Sequence, residues 1–142
     1  MTSIKVDEFK QRLEILCLKG GGRGLPRKPR DRQILFKSMT LMLDNETTYS
    51  EAKINRQIEI WLAEIGSMIE IDHVTLRRYL VDEGYLSRDE AGVTYRVSIE
   101  NTADLFEAAI NQLDPLQVVD EAREDLARKK RAYLENQSDR ED

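Results

Sequence analysis

Basic side chains, at two kinds of spacing, are the residues of this chain best placed to do chemistry. Thr75, Arg77 and Arg78 fall within one short stretch, residues 72–83. A guanidinium makes paired hydrogen bonds to a guanine edge or to phosphate oxygens, and a threonine meets a phosphate or a thymine methyl. Arg27, Lys28, Arg30 and Arg32 follow Arg23 closely, with Pro26 and Pro29 between them. Glycine and proline keep such a segment extended, and a flexible basic arm can track phosphates or enter a minor groove. Arg88 and Arg96 flank a turn-like Asp89-Glu90-Ala91-Gly92 and could reach a nucleic-acid backbone. Each group has an ordinary alternative. Arg78 and Asp82 are i, i+4 neighbours and can pair, Arg88 and Arg96 can pair with Asp89 or Glu90, and residues 23–32 can be a solvated linker.

Other chemistries find little support. Cys17 is the single cysteine and His73 the single histidine, so an intrachain disulfide is excluded, and their distance in sequence argues against a site of several soft metal ligands within one chain. The glycine run 20–22 lacks a preceding strand and the Gly-Lys-Ser/Thr ending of a phosphate loop. The carboxylates are scattered and no nucleophile–base pattern is present, so the sequence predicts a binding protein with no cofactor, and no enzyme. Cys17, between Leu16 and Leu18, reads as a small buried group, Trp61 as core and His73 as a helix-start residue.

The 142 residues carry a net charge of −5, which argues against a generic polyanion binder, but the charge is uneven. Residues 19–32 hold six bases and one acid, net +5, whereas residues 100–142 hold twelve acids and six bases, net −6. A phosphate responds to the local field, so a basic patch on an acidic protein can still bind it. No run approaches the ~18 apolar residues of a membrane span. The first residues are acidic where a signal peptide would be basic, so a cytoplasmic address with no membrane partner is expected.

The elements that must position these residues are readable. Asp72 suits an N-cap and Gly84 the left-handed stop of a helix between them. In that helix Leu76, Tyr79 and Leu80 face the core, Val74, Thr75, Arg78 and Asp82 face outward, and Arg77 lies at the flank. A hairpin over residues 85–97 follows. Upstream, Ser50 caps a helix whose inner stripe is Ile54, Ile58, Trp61, Leu62, Ile65 and Met68, bent or ended at Gly66. A helix from about 31 to 43 has Leu35, Met39 and Met42 inside, and a short strand is expected at 47–49. Residues 4–18 form an amphipathic helix with Val6, Phe9, Leu13 and Leu16 on one face. A helical region starts near Thr102, and Asp114-Pro115 opens a last helix with Val119, Ala122, Leu126 and Tyr133 along it and a frayed tail from Asn136.

The fold class expected is mostly α with a small β-hairpin, a winged helix-turn-helix with additional N- and C-terminal helices. Residues 1–24 are the N-terminal helix and Gly-rich linker, 25–97 the winged-helix-like domain and 98–142 the C-terminal helical extension.

The blocks Leu25-Pro26-Arg27-Lys28-Pro29-Arg30-Asp31-Arg32, Tyr49-Ser50-Glu51-Ala52-Lys53-Ile54-Asn55, Leu76-Arg77-Arg78-Tyr79-Leu80-Val81-Asp82 and Tyr95-Arg96 resemble, over roughly residues 25–97, a bacterial domain-of-unknown-function family numbered 2087. Members of that family sometimes follow an ArsR-type winged-helix regulator. The resemblance implies a winged-helix-like fold and bacterial origin, and no established activity. Two departures stand out: the stretch between Asn55 and Leu76 is longer than the family pattern, and no separate ArsR-type domain is expected ahead of the match.

Two functions follow as expectations. The first is a DNA-binding transcriptional regulator with double-stranded DNA as partner, contacted by Thr75, Arg77, Arg78, Arg27, Lys28, Arg30, Arg32, Arg88 and Arg96. It would act as a homodimer through Phe9, Leu13, Leu126 and Tyr133, because unpartnered apolar stripes mark interfaces. The alternative is a protein-interaction module of the same shape that does not bind DNA.

Overall fold

The computed structural model describes residues 2–19 and 24–140. Residues 20–23, the start of the basic segment with Arg23, and residues 141–142, the end of the tail, lie outside the described residues.

The winged part is built from α2 (Pro29–Thr40), β1 (Tyr49–Ser50), α3 (Glu51–Glu64), α4 (His73–Asp82), β2 (Leu86–Arg88) and β3 (Thr94–Val97). The strands form one antiparallel sheet in the order β1-β3-β2. This order of elements and strands is a winged helix-turn-helix. Local chemistry sets its boundaries. Pro29 opens α2 at a position where its missing N–H costs nothing. Ser50 Oγ accepts from Lys53 N at 3.2 Å to start α3, and Asp72 Oδ1 accepts from Thr75 N at 2.8 Å to start α4. At the end of α4, Gly84 has φ +85°, the Gly84 N–H donates to the Val81 carbonyl and the Tyr85 N–H to the Leu80 carbonyl. That pair of bonds satisfies the last carbonyls of the helix and turns the chain into β2.

The core runs beneath α2, α3 and α4. Ile54, Ile58, Trp61 and Ile65 are buried along α3 as their spacing predicts, whereas Met68 is exposed beyond its end. Trp61 Nε1 donates to Ser38 Oγ at 3.0 Å, so its one polar atom is satisfied inside. A Cβ on Gly66 would come within 2.5 Å of the Trp61 ring, which explains a glycine where α3 stops.

The terminal elements complete this core. α1 (Val6–Leu18) packs on α2 and on the start of α5 (Pro115–Arg140). Ile4 makes a parallel bridge to Phe106, with Ile4 N donating to Leu105 O and Glu107 N to Ile4 O, each at 2.8 Å. Glu107 Oε2 also accepts from Val6 N at 3.2 Å, so the cap of α1 comes from the far end of the chain. Phe9 meets Phe106 edge-on at 6.5 Å, and Phe9 and Leu13 are fully buried. This corrects the expectation that Phe9 and Leu13 form a dimer interface: their cover is the monomer's own chain. The region after Thr102 is also corrected from helix to two 3-10 turns, Glu100–Leu105 and Ala108–Gln112. Phe106 is drawn into an extended conformation by the bridge to Ile4, and no α-helix can run through it. Beyond Arg123 every α5 side chain described is exposed, and the helix continues through the residues expected to fray, to Arg140. Among the described residues no helix is long and apolar enough to cross a membrane.

Candidate nucleic-acid interface

Residues from three of the four blocks that carry the family resemblance meet at one corner. Arg77 Nη1 donates to Asn55 Oδ1 at 2.6 Å and lies 3.2 Å from Glu51 Oε1, and its guanidinium sits 5.5 Å from the Tyr95 ring centre. Tyr95 is paired with Tyr49 across the sheet. One side chain of α4 thus ties together α3, α4 and β3. The Arg77 side chain is only 12% exposed. This corrects its assignment as a base-reading residue, because a guanidinium already bound on one side and stacked on another is structural.

Its neighbour Arg78 differs. Arg78 is exposed on the outer ridge of α4 beside the half-buried Val74 and Val81 and the exposed Asp82, and among the described residues it has no ion pair, the i, i+4 alternative with Asp82 included. The Thr75 hydroxyl donates to Asp72 Oδ2 at 2.8 Å, which leaves only its lone pairs outward. Those bonds, with the Thr75 N–H first, hold the Asp72 carboxyl below its ordinary range.

The basic segment divides in the same way. Arg30 is used up internally: its guanidinium pairs with Glu8 and donates to the Thr2 carbonyl at 3.0 Å, and this corrects its assignment as a phosphate contact. Arg27 and Lys28 are exposed, and neither forms an ion pair among the described residues. Arg32 lies 5.0 Å over the Tyr79 ring, with a buried Nε that has no acceptor among the described residues. Arg27, Arg32, Thr75 and Tyr79 line an open depression of about 390 Å³ with Leu25 and Ile71 at its base. Two guanidiniums border this space and no carboxylate lines it, whereas the Thr75 hydroxyl and N–H are both given to Asp72, so Arg27 and Arg32 are the groups a phosphate would meet.

In the hairpin the register separates two arginines that the sequence groups together. Arg88 is opposite Tyr95 and shares its face, at the exposed end beside Gly92, whereas Arg96 is opposite Ser87 on the other face. Tyr95 turns toward the helices, so Arg96 points away from α4. Asp89 is committed to the turn, with Oδ1 accepting from Val93 N at 2.7 Å and Thr94 N at 3.1 Å. Backbone hydrogen bonds hold its carboxyl low.

One feature escaped the sequence reading. Arg128, Lys129, Lys130 and Arg131 are four consecutive bases on the exposed part of α5, and among the described residues only Arg128 is paired, with Asp125. The run was visible as a basic cluster, but the acidic balance of residues 100–142 obscured it. Elsewhere, burial pushes the Cys17 thiol up to about 12, so it offers no thiolate nucleophile. His73 lies 3.3 Å from Glu59, and no group of three or more metal-ligating side chains occurs among the described residues.

No curated protein and no solved structure matches the chain. The model of DUF2087, an uncharacterized protein family conserved in bacteria, matches residues 23–97. That span covers the basic segment, all of the winged part and the Arg77 corner, and the chain belongs to this family.

Proposed function

We propose that the protein is a bacterial transcriptional regulator of winged-helix type that binds double-stranded DNA, a binding protein and not an enzyme. The outer ridge of α4 enters the major groove with Arg78 at a base edge. Arg27, Lys28 and the Arg32 depression meet the backbone on one side, and Arg88 at the hairpin tip meets it on the other. A cytoplasmic location goes with that role. One observation carries the reading: in the winged-helix topology, exposed arginines that form no ion pair among the described residues, Arg78 and Arg88, lie on α4 and on the hairpin. Nuclear magnetic resonance mapping of a random-sequence duplex tests it. Shifts concentrated at Arg27, Arg78 and Arg88, with Arg96 unaffected, are expected, and shifts confined to α5 would remove α4 from the interface.

A two-fold dimer belongs to the same proposal, now through α5 and the outer edge of α1 beside it. Leu126 and Tyr133 are 45% and 62% exposed, and Leu126 borders a groove of about 260 Å³ that also exposes Ile15. Glu14, Glu121 and Asp125 line that groove together with Lys19 and Lys129, so a second copy would meet charges of both signs around an apolar floor of Ile15, Leu18 and Leu126. Two-fold pairing would offer two α4 helices to two half-sites.

A second reading has its own support. Asp82, Glu83, Asp89 and Glu90 are exposed on α4 and the hairpin, and Val74 and Val81 border Arg78. A basic or apolar protein surface would fit that mixture, in a winged-helix module that does not bind DNA.

A further inference from the structure

Lys37 is a buried cation without a buried anion. It is 4% exposed, and the only hydrogen bond of its side chain among the described residues runs from Nζ to Asn111 Oδ1 at 2.7 Å. Its Nζ lies 5.3 Å from the centre of the Phe106 ring. An ammonium has three N–H groups, so two are left over. Lysine is almost never fully buried unless paired, because a desolvated charge costs far more than one neutral hydrogen bond and a ring face return. The position of Lys37 in the last turn of α2 helps through the helix carbonyls, but only by a partial charge.

The side chain borders a cavity of about 90 Å³, where the end of α2 meets the end of β3 and the second 3-10 turn. Thr40, Asn45 and Asn111 supply its polar wall, Val97 and Ile99 its apolar wall, and no acidic residue lines it. Because Asn111 accepts through Oδ1, its amide N–H groups are available to donate, as are those of Asn45. The Lys37 ammonium and the two amides favour the same kind of occupant, while the Thr40 hydroxyl gives its proton to the Lys37 carbonyl at 3.0 Å.

We propose that this cavity is a binding site for a small oxyanion, a carboxylate or a phosphate, held by the Lys37 ammonium and the Asn111 and Asn45 amides. The site stands apart from the DNA reading. It joins the winged part, through Lys37, to the C-terminal extension, through Asn111, so an occupied site fastens the 108–112 turn to α2. Burial also lowers the pKa of Lys37, so an empty cavity makes the ammonium easier to discharge than an occupied one.

Thermal melting of the full chain at constant ionic strength tests this, with inorganic phosphate and acetate as separate probes and chloride as the balancing salt. A ligand that binds only the folded state raises Tm along a saturating curve, whereas the general stabilisation by excluded salts does not saturate. The wild type is expected to show a saturating rise with phosphate, acetate or both, and the effective probe identifies the oxyanion. Lys37→Met should lose the saturating component. Asn111→Asp tests the idea without removing the lysine, since it places a carboxylate where the 2.7 Å contact now is. It should melt higher than wild type without either probe and should lose the response to both. A wild type that shows only the unsaturating rise, or an Asn111→Asp variant that responds as wild type does, overturns the proposal.

Discussion

Arg77 and Arg78 are adjacent on α4, yet one is part of the fold and the other is free to meet something else. Arg77 reaches Asn55, Glu51 and the Tyr95 ring, while Arg78 projects from the outer ridge and has no ion pair among the described residues. The same division separates Arg12 and Arg30, both paired, from Arg27, Lys28 and Arg88. A count of basic residues therefore overstates the charge available to a partner. What matters is which guanidiniums the fold leaves with unused donors.

The comparison is broken most forcefully at Arg12. Its guanidinium binds Asp31 through two bonds, 3.0 and 2.8 Å, and Asp31 is 6% exposed. Arg12→Ala strands that buried carboxylate and should cost about 3 kcal/mol in urea denaturation, the low end for a broken buried pair because Arg12 itself is part-exposed. Arg77→Ala comes next, at about 2 kcal/mol, from the lost charged hydrogen bond to Asn55 and the lost packing on Tyr95. The exposed Glu51 adds little. If Arg77→Ala unfolds at the wild-type midpoint, the Arg77 corner is not structural.

A smaller effect is expected at Glu8, whose carboxyl the Arg30 hydrogen bond holds below its ordinary 4.5. A depressed native value means the pair's stabilisation is present above that ordinary value and lost as pH falls through the depressed one. The urea midpoints of wild type and Arg30→Gln should accordingly differ near neutral pH and converge in acid, below the ordinary 4.5 of the carboxyl. The smallest change in stability is expected for Arg78→Ala, within about 0.5 kcal/mol of wild type. On the DNA-binding reading the same variant loses about 1–3 kcal/mol of affinity for a preferred sequence. An Arg78→Ala variant that loses stability as Arg77→Ala does would erase the distinction between the two arginines.

Features set by neighbours in sequence were the ones readable in it. Ser50, Asp72 and Gly84 act within a few residues of themselves, and the α3 stripe repeats along one helix, so caps, stop, hairpin and core face were all legible. The Arg77 corner was not, because Asn55 and Glu51 stand more than twenty residues away and nothing local distinguishes Arg77 from Arg78. The apolar stripe of α1 predicted burial, but a second copy was expected to cover Phe9 and Leu13, because nothing local names the cover. The Ile4–Phe106 bridge decides that, and it also turns the expected helix near Thr102 into 3-10 turns. The hairpin was foreseen, but the facing of Arg88 and Arg96 depends on a register that pairs Arg88 with Tyr95.

The central claim, that the unpaired arginines bind DNA, is tested most directly by fluorescence anisotropy of the full chain with a labelled duplex across a series of salt concentrations. Binding by phosphate neutralisation must weaken linearly on a logarithmic plot, with a slope near −0.9 per neutralised phosphate. The account predicts binding at low salt, a slope reduced by about one unit in Arg27→Ala or Lys28→Ala, and no change of slope in Arg96→Ala. No binding of the wild type at low salt would contradict it and leave the protein-interaction module as the function of this fold.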